Sequence, residues 1–574
     1  MNTGLSTILL LLVFTVSCTD DGGPSDDAGS EEMTEDHADA DREGEDGSDG
    51  ADGEDGGDAT GEEDAWGVIS SPDTNYLIIT TDDLYDSALE IMEYRQARGY
   101  SVSLYPVSYF TSECSFAGYA AVTIKENIIE LVDALRGDGV FHLLLLGDAT
   151  ESDDIDENPL PAYLYGGNYV NTYSDNFYGD FDDDGVPEIA VGRIPANSND
   201  DVMTVLGKIE AYETGESAFP PGTWNRRITL VAGNPGFGEP VDTMIESAAT
   251  QVIFDIPYSF DISMTYDREE SPYFYPRDEF NAKVYERVND GAFVFAFIGH
   301  GSETDISIPF DETAVSTIDP EGRPPLFFII ACLTGKYTMR LPSLSEEILF
   351  KAGKIPAVFA SAEVSHPAVN ALITLEMKEV LFKGRPATIG EAVMNMKYNL
   401  EYRTDDSLRE IIATLLQATA GEDLDEHVDD HNYLYNLLGD PALELRYPGG
   451  ELALQADRAR YAAGDTISVA GRCKEVDDGE AIVTFEHDRD LFYPPLEEVP
   501  PRTDDGYEDT VKRNYDSANN FVIRSASVTI EDGSFEARLQ TPFNTPPGTY
   551  YIKAYAGDDE RDEFASIEVL VENP

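Results

Sequence analysis

A chain of 574 residues, 41% of them hydrophobic and 10% aromatic, is long enough for roughly three or four units of ordinary domain size. Its formal net charge is −75 at pH 7, and such an acidic surface repels phosphate backbones, which argues against nucleic acid as a partner. The four cysteines lack metal-type spacing and exclude a disulfide framework, so each has to be explained singly.

Residues 1–18 are expected to be a targeting segment rather than part of the fold. The apolar run 8–16 is too short to span a bilayer, and it ends at Thr15-Val16-Ser17-Cys18, which resembles a lipoprotein signal-peptidase site. Cleavage there would leave Cys18 as the lipidated first residue of an exported, cell-surface protein. The alternative is a plain signal peptide with an incidental cysteine, which would release a secreted protein. The only expected membrane contact is this lipid anchor.

Residues 19–70 form an acidic segment with almost nothing to bury. Twenty-one Asp or Glu lie in residues 19–65 against a single basic residue, Arg42. Such a composition does not offset the entropy of ordering, so the segment is predicted to be a disordered, self-repelling tether.

Between residues 71 and 447, short apolar runs alternate with amphipathic stretches. This alternation predicts an α/β fold, a parallel sheet with helices on both faces, in two halves at about 71–220 and 221–447. Strands are predicted at 76–81, 100–107, 142–146, 228–232, 292–298, 326–331 and 357–361. Helices are predicted at 85–98 and 123–136 and near 240–254, 278–289, 344–353, 369–383 and 388–402.

After Pro448-Gly449-Gly450 the pattern changes to short alternating runs separated by turn residues. These runs occur at 466–471, 481–486, 527–530, 535–539, 550–554 and 566–571. Residues 448–574 are therefore predicted to form a β-sandwich, and no catalytic set is found in it.

Two predicted strands each end in a reactive residue and a glycine-containing turn. The strand 292–298 leads into Gly299-His300-Gly301-Ser302, and the strand 326–331 leads into Cys332-Leu333-Thr334-Gly335. Sites in parallel sheets form at the carboxyl ends of strands, so His300 and Cys332 can meet if these strands are neighbours. An imidazole beside a thiol favours the nucleophilic thiolate and can return the proton to a leaving amine. The backbone amides of Gly301 and Cys332 are the candidate oxyanion donors.

The pairing of FAFIGHGS with FFIIACLTG resembles the gingipain family of cysteine peptidases, in the wider group that includes caspases, clostripain and legumain. DDDGVPEIAVGRIP at 182–195 and LLGDPALEL at 437–445 extend the resemblance. It implies a caspase-like catalytic domain at about 71–447 and an immunoglobulin-like identity for the trailing sandwich. It also implies that Cys332 is the nucleophile and His300 the general base and acid. The expected substrates are proteins or peptides, and no cofactor is expected for catalysis.

Glu188 has two competing uses. In some gingipain-type sites an acidic residue orients the histidine, and Glu188 stands at the matching position. Alternatively, Asp180, Asp182, Asp184, the Val186 carbonyl and Glu188 are spaced as ligands of a structural calcium ion around a glycine turn. A merely acidic surface turn is the other interpretation of these residues, and the position where an EF-hand would have its final glutamate holds a valine.

Other candidate residues carry weaker signals. His427 and His431 are four apart, as metal ligands on one helix face would be, but an acidic, loop-like, solvated stretch is the favoured interpretation. His366 follows a predicted strand and is expected to line the substrate cleft. Cys114 and Cys473 are expected to be unpaired thiols.

The leading functional hypothesis is an exported endopeptidase that is acylated at Cys332. One alternative is a transpeptidase or maturation protease that acts on other exported proteins. Another is a non-catalytic surface adhesin built on an inactive peptidase scaffold.

Overall fold

The computed structural model of the chain describes residues 67–137, 139–214, 223–236, 252–306, 312–320, 322–403, 407–558 and 561–572. The signal segment, Cys18, most of the acidic segment and most of the helix predicted near 240–254 lie outside the described residues. The folded part begins a few residues before residue 71, where the domain boundary was predicted. Val68 is buried, and Ile69 exchanges two backbone hydrogen bonds with Leu104, of 3.0 and 2.8 Å. Residues 67–70 therefore belong to the folded part.

Strands and helices are interspersed up to residue 439. The strands are β1 (Tyr76–Thr80), β2 (Val102–Pro106), β3 (His142–Leu146), β4 (Tyr163–Gly166), β5 (Asn171–Ser174), β6 (Ala190–Ile194), β7 (Arg227–Ala232), β8 (Asp261–Tyr266), β9 (Val294–Ile298), β10 (Leu326–Ile330), β11 (Ala357–Ser361) and β12 (Tyr435–Gly439). The helices are α1 (Tyr85–Ala97), α2 (Ser108–Thr111), α3 (Ala117–Leu135), α4 (Asn199–Thr214), α5 (Arg277–Asn289), α6 (Glu312–Val315), α7 (Leu344–Lys351), α8 (Pro367–Glu379), α9 (Ile389–Tyr402), α10 (Ser407–Thr419) and α11 (Leu424–Leu434). No helix among the described residues is long and apolar enough to cross a bilayer.

Ten of these strands form one sheet in the described part of the chain, in the order β2-β1-β3-β6-β12-β11-β10-β9-β7-β8. Helices cover both of its faces, as buried apolar strands require. In β1, Tyr76 and Ile78 pack in the same apolar cluster as α1, whereas Leu77 and Ile79 pack in the same cluster as α3. The predicted α/β layering is therefore present.

One strand pair differs from the prediction of a parallel sheet. β12 pairs with β11 in antiparallel fashion, from Gly439 opposite Ala357 to Tyr435 opposite Ser361. The other described pairs of this sheet are parallel. The reversal arises because the chain leaves β11 and, after helices α8–α11, enters β12 at the same edge of the sheet. Two parallel blocks of opposite direction meet at this junction.

Two further sheets follow residue 449. Their elements are β13 (Gly450–Glu451), β14 (Ala453–Ala456), β15 (Arg460–Ala462), β16 (Thr466–Arg472), β17 (Gly479–His487), α12 (Tyr507–Ala518), β18 (Val522–Ile530), β19 (Ser534–Gln540), β20 (Gly548–Gly557) and β21 (Asp562–Glu572). One sheet has the order β14-β16-β19 and the other the order β13-β21-β20-β17-β18, with β15 paired to β21. Ile467 and Leu539 of the first sheet share one apolar core with Phe485 and Ile552 of the second. The immunoglobulin-like identity of this region stays a prediction.

The helix α12 was not predicted, and it joins the C-terminal region to the edge strand β8. The side-chain amide of Asn519 accepts a hydrogen bond from the Met264 amide (2.7 Å) and donates one to the Met264 carbonyl (3.0 Å). The Tyr515 hydroxyl lies 2.8 Å from the Thr265 hydroxyl. The Asn519 side chain thus takes the hydrogen bonds of Met264 that a further strand beside β8 would otherwise make.

A buried charge cluster also joins the C-terminal region to β8. The side chain of Lys553 is 4% exposed, and its Nζ lies 2.6 Å from an Asp261 oxygen and 3.1 Å from a Glu486 oxygen. Arg226 contacts the same Asp261 carboxylate at 2.8 Å. Burial alone would raise the pKa of Asp261, but Arg226 and Lys553 outweigh it and hold that pKa below its ordinary value. The resulting stabilisation is present above about pH 3.9, the pKa of an unfolded Asp, and is lost as the pH falls further.

We expect Lys553→Met to lower the free energy of unfolding by about 3–5 kcal/mol, because the variant leaves the buried Glu486 carboxylate without its cationic partner and Asp261 with Arg226 alone. The matched control is Lys512→Met, which removes the more exposed pair between Lys512 and Glu279 (2.6 Å) and should cost less than about 1 kcal/mol. Urea titration followed by circular dichroism measures both variants. Equal losses would contradict the buried role of Lys553.

Candidate active site

Four neighbouring strands, β11, β10, β9 and β7, end at one edge of the sheet and bring the candidate residues together. Ile298 of β9 and Ile330 of β10 are register partners, and His300 and Cys332 each follow two residues later. Adjacent strands lie about 4.8 Å apart, so the two turns lie side by side. The Gly299 amide also donates a hydrogen bond to the Ile330 carbonyl (3.3 Å). The two strands are therefore neighbours, which was the condition for His300 and Cys332 to meet.

Tight backbone packing holds these two turns against each other. A Cβ atom at Gly301 would lie 2.7 Å from the Cys332 carbonyl oxygen and 2.7 Å from a methyl group of Thr334. Directly after the cysteine, Leu333 has φ +63°, in the left-handed region that costs free energy for a branched side chain. Its amide donates to the Glu363 carbonyl (3.2 Å). The turn after Cys332 is thus held by contacts with its neighbours.

The His300 ring is oriented by a backbone carbonyl. Its Nε2–H donates a hydrogen bond of 2.8 Å to the carbonyl oxygen of Pro235, which follows β7. In the neutral ring this tautomer leaves the lone pair on Nδ1. His300 can therefore act as a base through Nδ1 while Nε2 is held.

Glu188 does not occupy the orienting position that one interpretation of the sequence assigned to it. It precedes β6, which lies four strand positions from the His300 strand, about 19 Å at the usual spacing. Its carboxylate instead accepts a hydrogen bond from the Phe181 amide (2.6 Å) and lies with those of Asp180 and Asp182. The geometry thus supports the acidic-loop use of Glu188 over the histidine-orienting use.

The acidic loop brings together three of the five predicted calcium ligands. Oxygen atoms of Asp180, Asp182 and Glu188 all lie within 4.8 Å of one another. The Asp184 carboxylate is turned back into the loop, where it accepts a hydrogen bond from the Val186 amide (2.9 Å). Burial raises the pKa of Glu188, and the neighbouring aspartates raise it further. A cation at this position would relieve that repulsion.

The sulfur of Cys332 is buried against the residue that follows the next strand. Cys332 is 7% exposed, and its thiol donates to the Ser365 carbonyl at 3.6 Å. The Ser365 hydroxyl also lies 3.7 Å from the sulfur, as a donor. The position after β11 therefore contributes two polar groups to the sulfur.

The predicted oxyanion donors are two backbone amides in the turns that follow β9 and β10. In the part of the chain that the structure describes, no group accepts a hydrogen bond from the amides of Gly301 and Cys332. The short antiparallel contact at Gly301 is made instead through the Ser302 amide, which donates to the Asp305 carbonyl (2.8 Å).

His427 and His431 are not in a solvated loop, and that prediction is wrong. Both lie buried on α11, and His431 uses both of its ring nitrogens. Its Nδ1–H donates to the His427 carbonyl (2.6 Å), and its Nε2 accepts from the His366 amide (2.7 Å). Burial lowers the pKa of His431 to about 3, so this link is formed by a neutral ring. Because His431 has no free nitrogen, the two histidines do not form a ligand pair on one helix face.

The rings of Tyr169, His427 and His366 lie against one another in a row. The Tyr169 and His427 ring centroids are 3.9 Å apart, and those of His427 and His366 are 4.4 Å apart. His366 caps α8, since its Nδ1 accepts a hydrogen bond from the Ala368 amide (3.2 Å), which leaves the proton of the neutral ring on Nε2. The Nε2 of His427 lies 2.9 Å from the Glu422 carboxylate, and these two residues and His366 have potential ligand atoms within 4.8 Å. In that tautomer the Nε2 of His366 offers no lone pair to a cation.

The loop that carries Tyr169 is anchored by one buried carboxylate. Asp430 of α11 accepts hydrogen bonds from the amides of Asn168, Tyr169 and Val170, at 2.7, 2.8 and 3.2 Å. This ring stack and the catalytic candidates line one cavity of about 450 Å³. Its lining includes His300, Cys332, Ser365, His366, His427 and Tyr169. His366 thus lines this cavity, and its place in a substrate cleft stays a prediction.

The remaining thiols lie apart from the site. Cys114 and Cys473 are unpaired, as predicted. Burial raises the pKa of Cys473 to about 12, which keeps it protonated and unreactive at neutral pH.

A cysteine and a histidine on adjacent turns at one sheet edge are the residue types that nucleophilic catalysis by a thiol requires. The sequence model of peptidase family C25 matches residues 69–446. The chain therefore belongs to peptidase family C25, in agreement with the gingipain resemblance of its motifs.

Individual relatives are distant. Gingipain R2 of Porphyromonas gingivalis is 24% identical over 374 residues, which cover 62% of this chain and 44% of that protein. An uncharacterized protein of Archaeoglobus fulgidus is 28% identical over 156 residues, which cover 25% of this chain and 36% of that protein. The chain thus spans less than half the length of these relatives. The solved structure of the Arg-specific cysteine proteinase gingipain R has a TM-score of 0.50 at 18% identity, covering 87% of this chain and 98% of that one, and it supports the fold.

We expect Gly301→Ala to lower the free energy of unfolding by about 1–3 kcal/mol, since the new methyl group overlaps the Cys332 carbonyl. The control is Gly207→Ala on α4, where no atom lies within 4 Å of the added Cβ and a gain of about 0.5–1 kcal/mol is expected. Urea unfolding of both variants measures the difference. Equal stability of the two variants would contradict the close packing of the two turns.

Proposed function

We propose that this protein is a cysteine endopeptidase in which Cys332 attacks peptide carbonyls and His300 transfers protons. The observation that carries the proposal is the register of β9 and β10, which sets the two residues on adjacent turns. Membership in peptidase family C25 supports it independently.

In the first step, the Cys332 thiol gives its proton to Nδ1 of His300, and the thiolate attacks the carbonyl carbon of the substrate. The new C–S bond converts the carbonyl oxygen into an oxyanion. The amides of Gly301 and Cys332 donate hydrogen bonds to this oxyanion, and one such donor is worth about 3–4 kcal/mol by analogy with other acyl-transfer sites. His300 then protonates the leaving amine as the C–N bond breaks.

The second step releases the thioester that remains on Cys332. A water molecule gives a proton to His300 and attacks the thioester carbonyl. The C–S bond breaks, the acid product leaves, and the proton returns from His300 to the sulfur. Throughout both steps the Pro235 carbonyl keeps Nε2 of His300 in place.

The proposed substrates are proteins and peptides. The surplus of acidic over basic residues in the folded part attracts cationic substrates by long-range electrostatics. A related proteinase is described as Arg-specific, and cleavage after basic residues is accordingly our proposal for this chain.

We further propose that the protein is exported and held at the cell surface by a lipid on Cys18, with the acidic segment as spacer. The composition of residues 19–66 supports an extended chain, because like charges repel. The two C-terminal sheets would then form an immunoglobulin-like module that buttresses the edge strand β8.

We also propose a structural Ca²⁺ ion at the acidic loop, bound by Asp180, Asp182 and Glu188. Three convergent carboxylates suit a hard cation that prefers oxygen ligands. The ion would hold the loop to α11, since the Tyr433 hydroxyl donates to the Asp180 carboxylate.

Removing the nucleophile tests the catalytic proposal. We expect Cys332→Ala and His300→Ala to lower cleavage of a mixed peptide library by about 10³-fold or more, as for other acyl-transfer machinery. Cys473→Ala is the matched control and should keep full activity, because this thiol lies in the C-terminal sheets. Mass spectrometry of the products also gives the residue preceding the cut.

Three other outcomes would overturn the proposal or redirect it. Equal cleavage by wild type and Cys332→Ala would exclude Cys332 as the nucleophile. Products joined to an added amine would indicate a transpeptidase. A folded wild type that neither cleaves peptides nor reacts with a peptidyl electrophile would indicate a non-catalytic surface adhesin on an inactive peptidase scaffold.

Calcium binding is tested by thermal unfolding with and without the ion. At a concentration 100-fold above its dissociation constant, Ca²⁺ should stabilise the wild type by about 2.7 kcal/mol. We expect Asp182→Asn to abolish this gain. Asp183→Asn should retain it, because Asp183 pairs with Lys125 (2.6 Å) and is not among the three convergent carboxylates. An equal gain in wild type and Asp182→Asn would exclude this site.

A further inference from the structure

A chain of three buried polar side chains leads to the sulfur of Cys332. The Tyr435 hydroxyl lies 2.8 Å from Oδ1 of Asn370, and Nδ2 of Asn370 lies 2.9 Å from the Ser365 hydroxyl. The Ser365 hydroxyl lies 3.7 Å from the sulfur. These residues come from three elements: Tyr435 begins β12, Asn370 lies on α8, and Ser365 follows β11.

The hydrogen bonds of this chain have one direction. Burial raises the pKa of Tyr435, so its hydroxyl stays protonated and donates to Asn370. The Asn370 amide then donates to the oxygen of Ser365. With its oxygen occupied as an acceptor, Ser365 has its own proton left to donate, and the sulfur is the acceptor in reach.

The two groups of Ser365 act oppositely on Cys332. The neutral thiol donates to the Ser365 carbonyl (3.6 Å), which stabilises the protonated form. A thiolate would face that carbonyl with no proton between them, which is unfavourable. The Ser365 hydroxyl offsets this, because a donor to a charged acceptor stabilises the charged form.

We propose that the Ser365 hydroxyl, oriented by the Tyr435–Asn370 chain, stabilises the Cys332 thiolate and so acts together with His300 of the adjacent turn to lower the pH at which this cysteine becomes nucleophilic. The role assigned to Ser365 rests on the proposed function, in which the thiolate attacks the substrate. Tyr435 and Asn370 act through Ser365 and are positioning residues. Their burial keeps water from replacing the chain.

The test measures the thiol itself and needs no peptide substrate. The full chain is alkylated with iodoacetamide at a series of pH values, and mass spectrometry of the Cys332 peptide gives the rate. The pH at half of the maximal rate is the midpoint of the profile, and His300 on the adjacent turn contributes to it in every variant compared. We expect Ser365→Ala to raise this midpoint by about one pH unit, the size of one hydrogen bond to a charged group. Ser365→Thr, which keeps the hydroxyl, should restore the wild-type midpoint.

The matched control is Ser361→Ala. Ser361 is a buried serine at the end of β11 whose hydroxyl donates to the Glu363 carbonyl (2.8 Å) instead of the sulfur. Its removal should leave the midpoint unchanged. A Ser365→Ala midpoint within about 0.2 units of wild type would overturn the proposal, and so would an equal shift in Ser361→Ala. The limit of 0.2 units lies well inside the one-unit effect expected for a charged hydrogen bond.

Failure of this proposal is distinguishable from failure of the proposed function. If the wild type cleaves peptides and the Ser365→Ala profile is not shifted, the role of Ser365 is contradicted and the peptidase proposal stands. If Ser365→Ala shifts the profile but the wild type cleaves no peptide, the role of Ser365 is supported and the peptidase proposal is contradicted. Thermal unfolding of Ser365→Ala and Ser365→Thr checks that both remain folded, so the comparison holds between native proteins.

Discussion

The antiparallel pairing of β11 with β12 is the constraint on which the site depends. Five register pairs fix β12 with its first residue, Tyr435, opposite Ser361, the last residue of β11. The start of β12 and the preceding helix α11 are therefore brought to the edge where β9, β10 and β11 end. Without this reversal, His431 could not reach the His366 amide, and Tyr435 could not reach Asn370. One strand direction thus assembles the surroundings of the sulfur from both blocks of the sheet.

Buried charges tie the reversed strand to the first block. Arg95 of α1 lies 2.7 Å from Asp440, directly after β12, and 3.0 Å from Glu213 of α4. Arg193 of β6 lies 2.7 Å from Asp175. Buried pairs of this kind add little net stability, because desolvation offsets their attraction, but the loss of one partner is costly. The Arg95–Asp440 pair therefore penalises any arrangement in which β12 does not meet the first block.

Sequence patterns predicted much of this fold because buried parallel strands are continuous apolar runs, and reactive residues after such runs share one edge. The direction of β12 could not be predicted from the sequence. The helix α11 ends at Leu434 and β12 begins at Tyr435, so no turn residue marks the change. His427 and His431 were misplaced because hydrogen bonds, which hydrophobicity patterns do not report, permit their burial. The contribution of Pro235 is a backbone carbonyl, which no residue type reveals. The partners of Cys332 were missed because Ser365 and Asn370 resemble ordinary loop and helix residues.

Both outer strands of the ten-stranded sheet are covered by segments from outside it. Ile69 pairs with Leu104 on β2, and Asn519 takes both backbone groups of Met264 on β8. An uncovered edge strand is a template for self-association between molecules. Ile69, just after the acidic segment, and Asn519, just after α12, therefore each block hydrogen-bonding groups of an edge strand, one at each end of the sheet. They keep a sheet of this length from continuing into a second molecule, which suits a protein proposed to be held at a cell surface.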